Sequence, residues 1–295
     1  VGLAGRRAAG AAPLPVTEIA PGIFVHRGVH ELATAANLGA IANVGFVVGD
    51  EAVAVIDSGG CARNGVRLRA AIREVTALPI RYVIASHVHP DHVLGHAAFL
   101  ADRPTFVGHG KLPAALAMRG AYYLDNLADE LGALAEGTLI VEPTLTVAEA
   151  AAIELGGRTL RVVAHPTAHT DNDLSVLDET TGTLWLADLL FMERVPVIDG
   201  SLLGWLAVLA TVQGWDAERV VPGHGPVSAP WPAAARDQVR YLKRLRADVR
   251  ARIAGGGTIQ EAVAEAGAGE RASWRLFEFY HARNVTAAFT ELEWE

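Results

Sequence analysis

Six residues in a row, His87-Val88-His89-Pro90-Asp91-His92, constrain this 295-residue chain more than any other stretch. They place three imidazoles and one carboxylate directly after Arg81 to Ser86, a short, mostly apolar run that reads as a central strand buried on both faces. Imidazole and carboxylate are ligand types that suit zinc and related ions. A loop held by a strand on one side and a helix on the other can make such ligands converge. Pro90 and Asp91 suit a helix start, which fixes the direction of Asp91 and His92.

Six residues cannot fill two metal sites, and three further candidates stand in turns or at strand ends. His169 lies in a turn between two strands, and Asp188 ends Leu184 to Ala187. His224 sits between two glycines after Val220-Val221, where a tight turn can aim a side chain inward. Each alone is weak, since an Asp at a strand end is usually a turn former. Their order along the chain makes the set specific.

Between these positions the chain alternates strands and helices. Gly22 to Arg27, Val44 to Val48 and Ala52 to Ile56 read as strands, the last two joined at Gly49-Asp50-Glu51. Val66 to Leu78 reads as a helix with Leu68, Ile72 and Val75 on one face. His92 to Leu100 and Lys111 to Glu136 read as helical, with Gly120 and Gly132 as weak points. Thr105 to Val107 reads as a strand, and hairpins turn at Gly156-Gly157 and Thr181-Gly182. Ser201 to Val212 is a further helix. Leu242, Leu245, Val249 and Ile253 form a helical stripe, and Thr258 with Glu261 suits a capping box. Residues 1–15, small and Gly/Ala-rich, are expected to be a flexible tail. Residues 16–295 are expected to form a single domain whose helical part, about 231–295, packs on the same body.

Composition narrows function further. The net charge of −8 with no Lys/Arg run argues against nucleic-acid binding, and no apolar run approaches the ~18 residues of a membrane span. The single cysteine, Cys61, excludes an internal disulfide and a Cys-rich zinc finger. It follows Ser58-Gly59-Gly60 and reads as a buried helix-opening thiol, not a nucleophile.

His-X-His-X-Asp-His, then His169 before Thr170, then Asp188 after an apolar strand, then Gly223-His224-Gly225 resembles the full pattern of the metallo-β-lactamase superfamily, spread over Val44 to Gly225. The resemblance implies an α/β fold, an αββα sandwich, with both metals at the rim between the sheets. It implies that His87, His89 and His169 hold the first metal, that Asp91, His92 and His224 hold the second, and that Asp188 bridges them. The ions implied are two Zn²⁺ per chain, with iron or manganese as substitutes. His87 to Phe99, Ala168 to Val176 and Asp188 to Leu206 resemble most the quinoprotein relay system zinc metallohydrolases. That resemblance implies a periplasmic protein linked to a quinoprotein dehydrogenase; the residues themselves are equally compatible with the cytoplasm.

Two divalent ions ~3.5–4 Å apart can share a hydroxide, because each lowers the pKa of bound water from ~15.7 towards ~7. The expected activity is hydrolysis of a small ester, thioester, lactone or amide, with Asp91 orienting the hydroxide and passing a proton. Three alternatives differ in class. A β-lactamase is disfavoured by Asp188, because lactamases with this local motif usually lack the bridging Asp. An iron-dependent oxidoreductase of the same fold and a low-turnover accessory protein of a quinoprotein system are the others. Of the histidines outside the set, His165 competes with His169, the motif position favouring His169, and His96 lies one turn beyond His92. Leu32 to Asn43, Met118 to Asp125 with Tyr122 and Tyr123, and Arg194, Asp199, Ser201 and Trp205 are the expected pocket walls.

Overall fold

The computed structural model describes residues 12–295. Part of the expected tail, 1–11, lies outside the described residues. Its last residues are docked, which moves the start of the ordered body back from Val16. Leu14 is buried and its amide donates to Arg67 O at 3.0 Å, while His26 Nδ1 donates to Pro15 O at 2.8 Å. Burial of Leu14 and these hydrogen bonds together hold the segment.

The first half builds one sheet. Its strands are β1 (Thr17–Ala20), β2 (Ile23–His26), β3 (Val44–Val48), β4 (Val53–Ile56), β5 (Ile80–Ile84), β6 (Thr105–His109) and β7 (Leu145–Val147), neighbours in that order. β1 to β4 pair antiparallel, and β4 to β7 run parallel. The parallel part needs crossovers: α1 (Ala62–Val75) precedes β5, α2 (Pro90–Val93) precedes β6, and α3 (Leu112–Leu131) precedes β7. The second half gives β8 (Ala150–Glu154), β9 (Thr159–Ala164), β10 (Leu174–Asp178), β11 (Thr183–Phe191), β12 (Arg219–His224) and β13 (Ala229–Pro230). These form a second sheet ordered β13-β12-β11-β10-β9-β8. α4 (Leu202–Val212) links β11 to β12, and α5 (Arg236–Ala254), α6 (Ile259–Glu265) and α7 (Phe277–Leu292) follow.

Alternation along the strands assigns the layers. Ala54 and Ile56 point between the sheets with Ile84, Val162, Trp185 and Val221, while Val53 and Val55 face α1 through Leu68 and Ile72. Leu184 and Leu186 point the other way, into a cluster with Trp205 of α4, Leu245 of α5 and Val285 of α7. The result is the expected αββα sandwich, with the C-terminal helices packed on its body. The Thr258–Glu261 capping box is present, and both glycine-bearing hairpins turn where the sequence places them. Among the described residues, no helix is long and apolar enough to cross a membrane.

Three helix expectations need correction. α1 starts at Ala62, not Val66, and buries Asn64 and Gly65 while leaving Val75 exposed. The helix expected over His92 to Leu100 breaks after Val93 and resumes as a 3-10 turn over His96–Asp102. Close packing explains both: a Cβ on Gly65 would lie 2.1 Å from Gly95 O, and one on Gly95 would lie 2.1 Å from Ser58 O. Those glycines let α1, the metal-motif loop and the end of β4 touch backbone to backbone. α3 runs through Gly120, where Ile140 fills the space of a missing Cβ, and ends at Gly132 with φ 53°.

Leu242, Leu245 and Val249 of α5 are fully buried in the cluster that also holds Leu184, Leu186 and Val220. A chain cut after Ala235 is therefore expected to be insoluble or unfolded, and Leu245→Ala in the full chain to cost about 2–5 kcal/mol. Urea unfolding of the variant and solubility of the truncation check this. A truncated chain that stayed soluble with a cooperative transition would show the helices to be an appendage.

Candidate metal centre

The side chains predicted as ligands meet at one rim of the sandwich. His87, His89, Asp91 and His92 come from the loop after β5 and from α2. His169 comes from the β9–β10 loop, Asp188 from β11 and His224 from the end of β12. They form two groups able to hold a metal ion, His87/His89/His169/Asp188 and Asp91/His92/His224. In the first group, His89 Nδ1 lies 3.0 Å from both His87 Nε2 and His169 Nε2. Asp188 faces both groups. Its Oδ2 lies 3.3 Å from His169 Nε2 and 3.7 Å from His87 Nε2, and its Oδ1 lies 3.2 Å from His92 Nε2 and 3.4 Å from His224 Nε2. Asp91 Oδ2 completes the second group at 3.5 Å from His224 Nε2.

The outer nitrogen of each ring settles which nitrogen points inward. His87 Nδ1 donates to Ser86 Oγ (3.0 Å), His92 Nδ1 to Asp57 Oδ2 (2.8 Å), His169 Nδ1 to Val197 O (2.7 Å) and His224 Nδ1 to Ile41 O (2.8 Å). His89 donates from the opposite nitrogen, Nε2, to Asp199 Oδ2 (3.0 Å). Each ring thus spends its proton outward and leaves a lone pair facing the centre, as metal-ligating histidines do. His92 Nε2 and Asp188 Oδ1 are buried with no hydrogen-bond partner. Orphaned buried groups of this kind are costly, and a cation between them would satisfy both. The donor set and its open inner faces fit two divalent cations.

The protonation preferences agree for two of the rings. Burial pushes the His87 imidazole well below its usual range and the His169 imidazole down to about 3, so both stay neutral lone-pair donors. Burial also works against a charge on His92, but the carboxylates of Asp188, Asp57 and Asp91 outweigh it and hold that imidazole well above the usual range. Three carboxylates around one ring create a demand for positive charge that a bound cation would meet.

Local backbone makes the convergence possible. Ala187 has φ 45°, and the pairing of β11 with β12 slips on both sides of it. This kink directs Asp188 to the rim while the strand continues to Phe191, beyond its expected end. A Cβ on Gly223 would lie 1.9 Å from Asp188 Oδ1, so only glycine leaves room for the carboxylate. Asp57 is a site residue that the motif reading missed. It ends β4 at φ 56°, accepts the Ser86 amide (2.8 Å) and hydroxyl (2.8 Å), and orients His92. The available signal was an Asp closing an apolar strand immediately before Ser58-Gly59-Gly60.

A cleft of ≈ 550 Å³ opens over the centre. Ala33 and Ile41 of the expected rim loop line it, as do Tyr122 and Tyr123 of α3 and Arg194 and Asp199 after β11. Ser201 and Trp205 do not. Ser201 caps α4 and donates to Glu291, and Trp205 is fully buried behind His169, its ring centroid 5.2 Å from the imidazole. Two wall residues missed by sequence reading, Tyr280 and Arg283, come from α7. His165 stands apart from the ligands, bonded to Ser175 Oγ at 2.7 Å and stacked on Trp215. His96 packs against Phe106 rather than facing the centre. Cys61 is buried against Leu38 O, and burial pushes its thiol up, as expected of an inert cysteine.

Comparison with known proteins gives consistent matches. The family model described as "Metallo-beta-lactamase superfamily" matches residues 39–224. A curated relative, the linear primary-alkylsulfatase of Pseudomonas sp. (strain ATCC 19151), is 24% identical over 239 residues. That is 69% of this chain, which spans only 44% of the relative's length. Among solved structures, a metallo-beta-lactamase from Pontibacter korlensis superposes with TM-score 0.61 at 18% identity, covering 78% of this chain and 99% of that one. The stereoselective inverting sec-alkylsulfatase Pisa1 from Pseudomonas sp. superposes with TM-score 0.72 at 16% identity, covering 93% and 49%.

Two substitutions test the geometry through metal content. His169→Ala is expected to strip metal from the first group, whereas His165→Ala keeps the metal load. Elemental analysis showing the reverse ranking would reassign the ligand. Gly223→Ala adds one methyl group where Asp188 Oδ1 sits and is expected to weaken metal binding in both groups while the protein stays folded. Unchanged metal affinity in a competition titration with a chelator would mean that Asp188 does not hold the position described.

Proposed function

Because the chain belongs to the metallo-beta-lactamase superfamily, we propose that it is a hydrolase working with two divalent cations, zinc foremost, on a small ester, thioester, lactone or amide. The observation that carries this reading is Asp188, whose two oxygens each face a different cluster of imidazole lone pairs. In the first group, His87, His89 and His169 would hold one ion. Asp91, His92 and His224 would hold the second, with Asp188 shared. Bound there, the cations supply Lewis acidity, lowering the pKa of water from ~15.7 towards ~7 and drawing electron density from an attacked oxygen.

The remaining work belongs to this chain's own groups. Asp91, like the shared Asp188, lines the cleft. Burial works against its charge, but His92 and His224 outweigh this and keep its pKa below the usual carboxylate range. It therefore stays an acceptor that can orient an attacking water and carry a proton to a leaving group. Asp57, Ser86, Asp199 and the carbonyls of Ile41 and Val197 fix the ring orientations, so that little reorganisation is needed as charge develops. Phe191, stacked on His224 at 4.9 Å, walls the cleft and limits water. Cys61 lies buried off the cleft, so this reading uses an activated water and no cysteine nucleophile.

A second reading is hydrolysis of a sulfate ester. The Pseudomonas relative is named as a linear primary-alkylsulfatase, and the cleft wall includes Arg119, Arg194 and Arg283, cationic side chains suited to a sulfate group. Elemental analysis combined with a substrate panel of aryl and alkyl esters, a thioester, a lactone, a β-lactam and an alkyl sulfate separates these. The expected result is about two zincs per chain and turnover within the ester and thioester group. Turnover of the alkyl sulfate alone would select the second reading. Iron with O₂- or peroxide-dependent turnover would overturn both. Asp188→Asn is expected to lose about one metal per chain. Its fall in kcat should exceed the ~10–100-fold typical of removing a group that only orients a ligand. A variant with two zincs and near-normal kcat would remove Asp188 from the shared position.

A further inference from the structure

α4 is a surface helix without a polar face. Its 11 residues include no charged side chain, and its one hydroxyl, on Thr211, donates back to Ala207 O at 3.1 Å. Leu202, Trp205, Val208, Leu209 and Val212 are buried in the core. The other side carries Leu203, Leu206, Ala207 and Ala210, spaced i, i+3, i+4, i+7, with both alanines exposed and both leucines half-buried. A helix on a domain surface normally turns polar residues outward, and one that is apolar all round is covered on every side. Among the described residues nothing covers this stripe, which lines an open groove.

The groove measures ≈ 380 Å³, and its opposite wall is α5, through Val239, Lys243 and Arg246. α5 sets seven arginines and lysines against two aspartates, in a chain whose net charge is −8. Four of the seven are paired: Arg240 with Asp237 and Glu270, Arg244 with Asp248, Arg250 with Glu295, and Arg252 with Glu265. The other three, Arg236, Lys243 and Arg246, pair with no carboxylate among the described residues, and two of these line the groove. An apolar wall facing a cationic wall is the complement of a helix whose apolar stripe is flanked by carboxylates.

Other occupants fit less well. A second copy packing α4 on α4 would cover the stripe but bring no carboxylate from that helix to Lys243 and Arg246. A lipid surface takes up projecting apolar side chains, and none of the large exposed ones, such as Met118, Tyr122 or Trp294, lines this groove. We propose that the α4–α5 groove docks an amphipathic helix of a partner protein. Its apolar stripe seats on Leu203, Leu206, Ala207 and Ala210, and its flanking carboxylates meet Lys243 and Arg246. The exposed alanines leave room for large partner side chains. A net-negative protein repels an acidic partner at long range, so a preference for acidic helices has to come from a local cationic wall. The groove and the metal cleft share no lining residue, so this inference is independent of the hydrolase reading.

The test uses the full chain and three dye-labelled synthetic peptides of about four helical turns. One carries a leucine stripe flanked by glutamates, the second the same stripe flanked by lysines, and the third the glutamates with serines in place of the leucines. Fluorescence anisotropy is expected to show the glutamate–leucine peptide binding about tenfold or more tightly than either of the others. The gap to the lysine peptide should narrow as salt is raised. Lys243→Glu/Arg246→Glu is expected to reverse the preference towards the lysine peptide. Ala207→Glu is expected to weaken the glutamate–leucine peptide by about tenfold or more, through like charge in the apolar stripe. Ala207 and Lys243 are exposed, so thermal unfolding of the variants checks that the fold is kept. If the double variant does not fold, Ala207→Glu and the wild-type ranking decide the question. A glutamate–leucine peptide that binds more weakly than about 1 mM overturns the proposal, as does equal binding by wild type and Ala207→Glu. So does a wild-type dimer in sedimentation that Ala207→Glu dissociates, which gives the face to a second copy. Co-sedimentation of wild type, but not of the double variant, with phosphatidylcholine–phosphatidylglycerol vesicles gives it to a lipid surface and overturns the proposal too.

Discussion

The Asp188 carboxylate lies buried among four imidazoles, with one of its oxygens left without a partner. That arrangement suits bound cations, and it is tied to much of the architecture around it. To reach the rim, β11 must kink at Ala187, and β12 must bring a glycine rather than a side chain alongside the carboxylate. The two sheets must also be locked together where the ligands from both meet. Asn43 does this at the entrance to β3. Its amide nitrogen donates to Gly223 O at 2.7 Å, and its side chain donates to Pro222 O and Pro226 O while accepting from Gly28 N. A fully buried asparagine with its polar groups satisfied fixes register more sharply than apolar packing would. It ties the first sheet to the turn that carries His224.

Much of this was legible in the sequence, for identifiable reasons. The candidate ligand cluster was readable because metal chemistry restricts the residue types, and the motif loop follows an apolar strand whose burial can be inferred from composition. The hairpins at Gly156-Gly157 and Thr181-Gly182 were readable because φ > 0 restricts them to few residue types. β1 was missed because Thr17-Glu18-Ile19-Ala20 is a short edge strand, largely exposed, with little hydrophobic alternation to betray it. The start of α1 was misplaced because Asn64 and Gly65 are buried for close backbone approach, which a hydrophobic periodicity cannot register. The roles of Asp57 and Asn43 were missed because each acts through partners distant in sequence, and either residue reads locally as a turn or loop former.

The C-terminal helices contribute to the site as well as to the core. Asn284 of α7 accepts from Ile198 N at 2.9 Å and donates to Pro196 O at 2.6 Å, and Tyr241 Oη of α5 receives its second donor hydrogen. Tyr241 in turn donates to His281 Nδ1, whose opposite nitrogen donates to Ala266 O. Glu291 accepts from the amides of Leu202 and Leu203 at the start of α4, where a carboxylate also complements the positive end of the helix. These bonds immobilise residues 196–203, the stretch that carries Val197 O behind His169 and Asp199 behind His89. The orientation of two rings in the first metal group is therefore set through α7.

This division has a consequence for specificity. The superfamily match ends at residue 224, and all the ligand residues lie within it. Tyr280 and Arg283, which line the cleft, lie beyond it. Residues 194–199 lie inside the match but are held by bonds to the segments outside it, through Arg275 and Asn284. The candidate ligands thus lie within the matched segment, while part of the cleft wall comes from beyond it. Changing the helices while keeping the ligand set would alter both the outer wall of the cleft and the support of the His89 and His169 rings. Arg194 sits where the two parts join, its ring neighbour His224 on the shared side and Tyr280 on the other. The His224 ring is held independently by Ile41 O, so Arg194 is not needed to orient it.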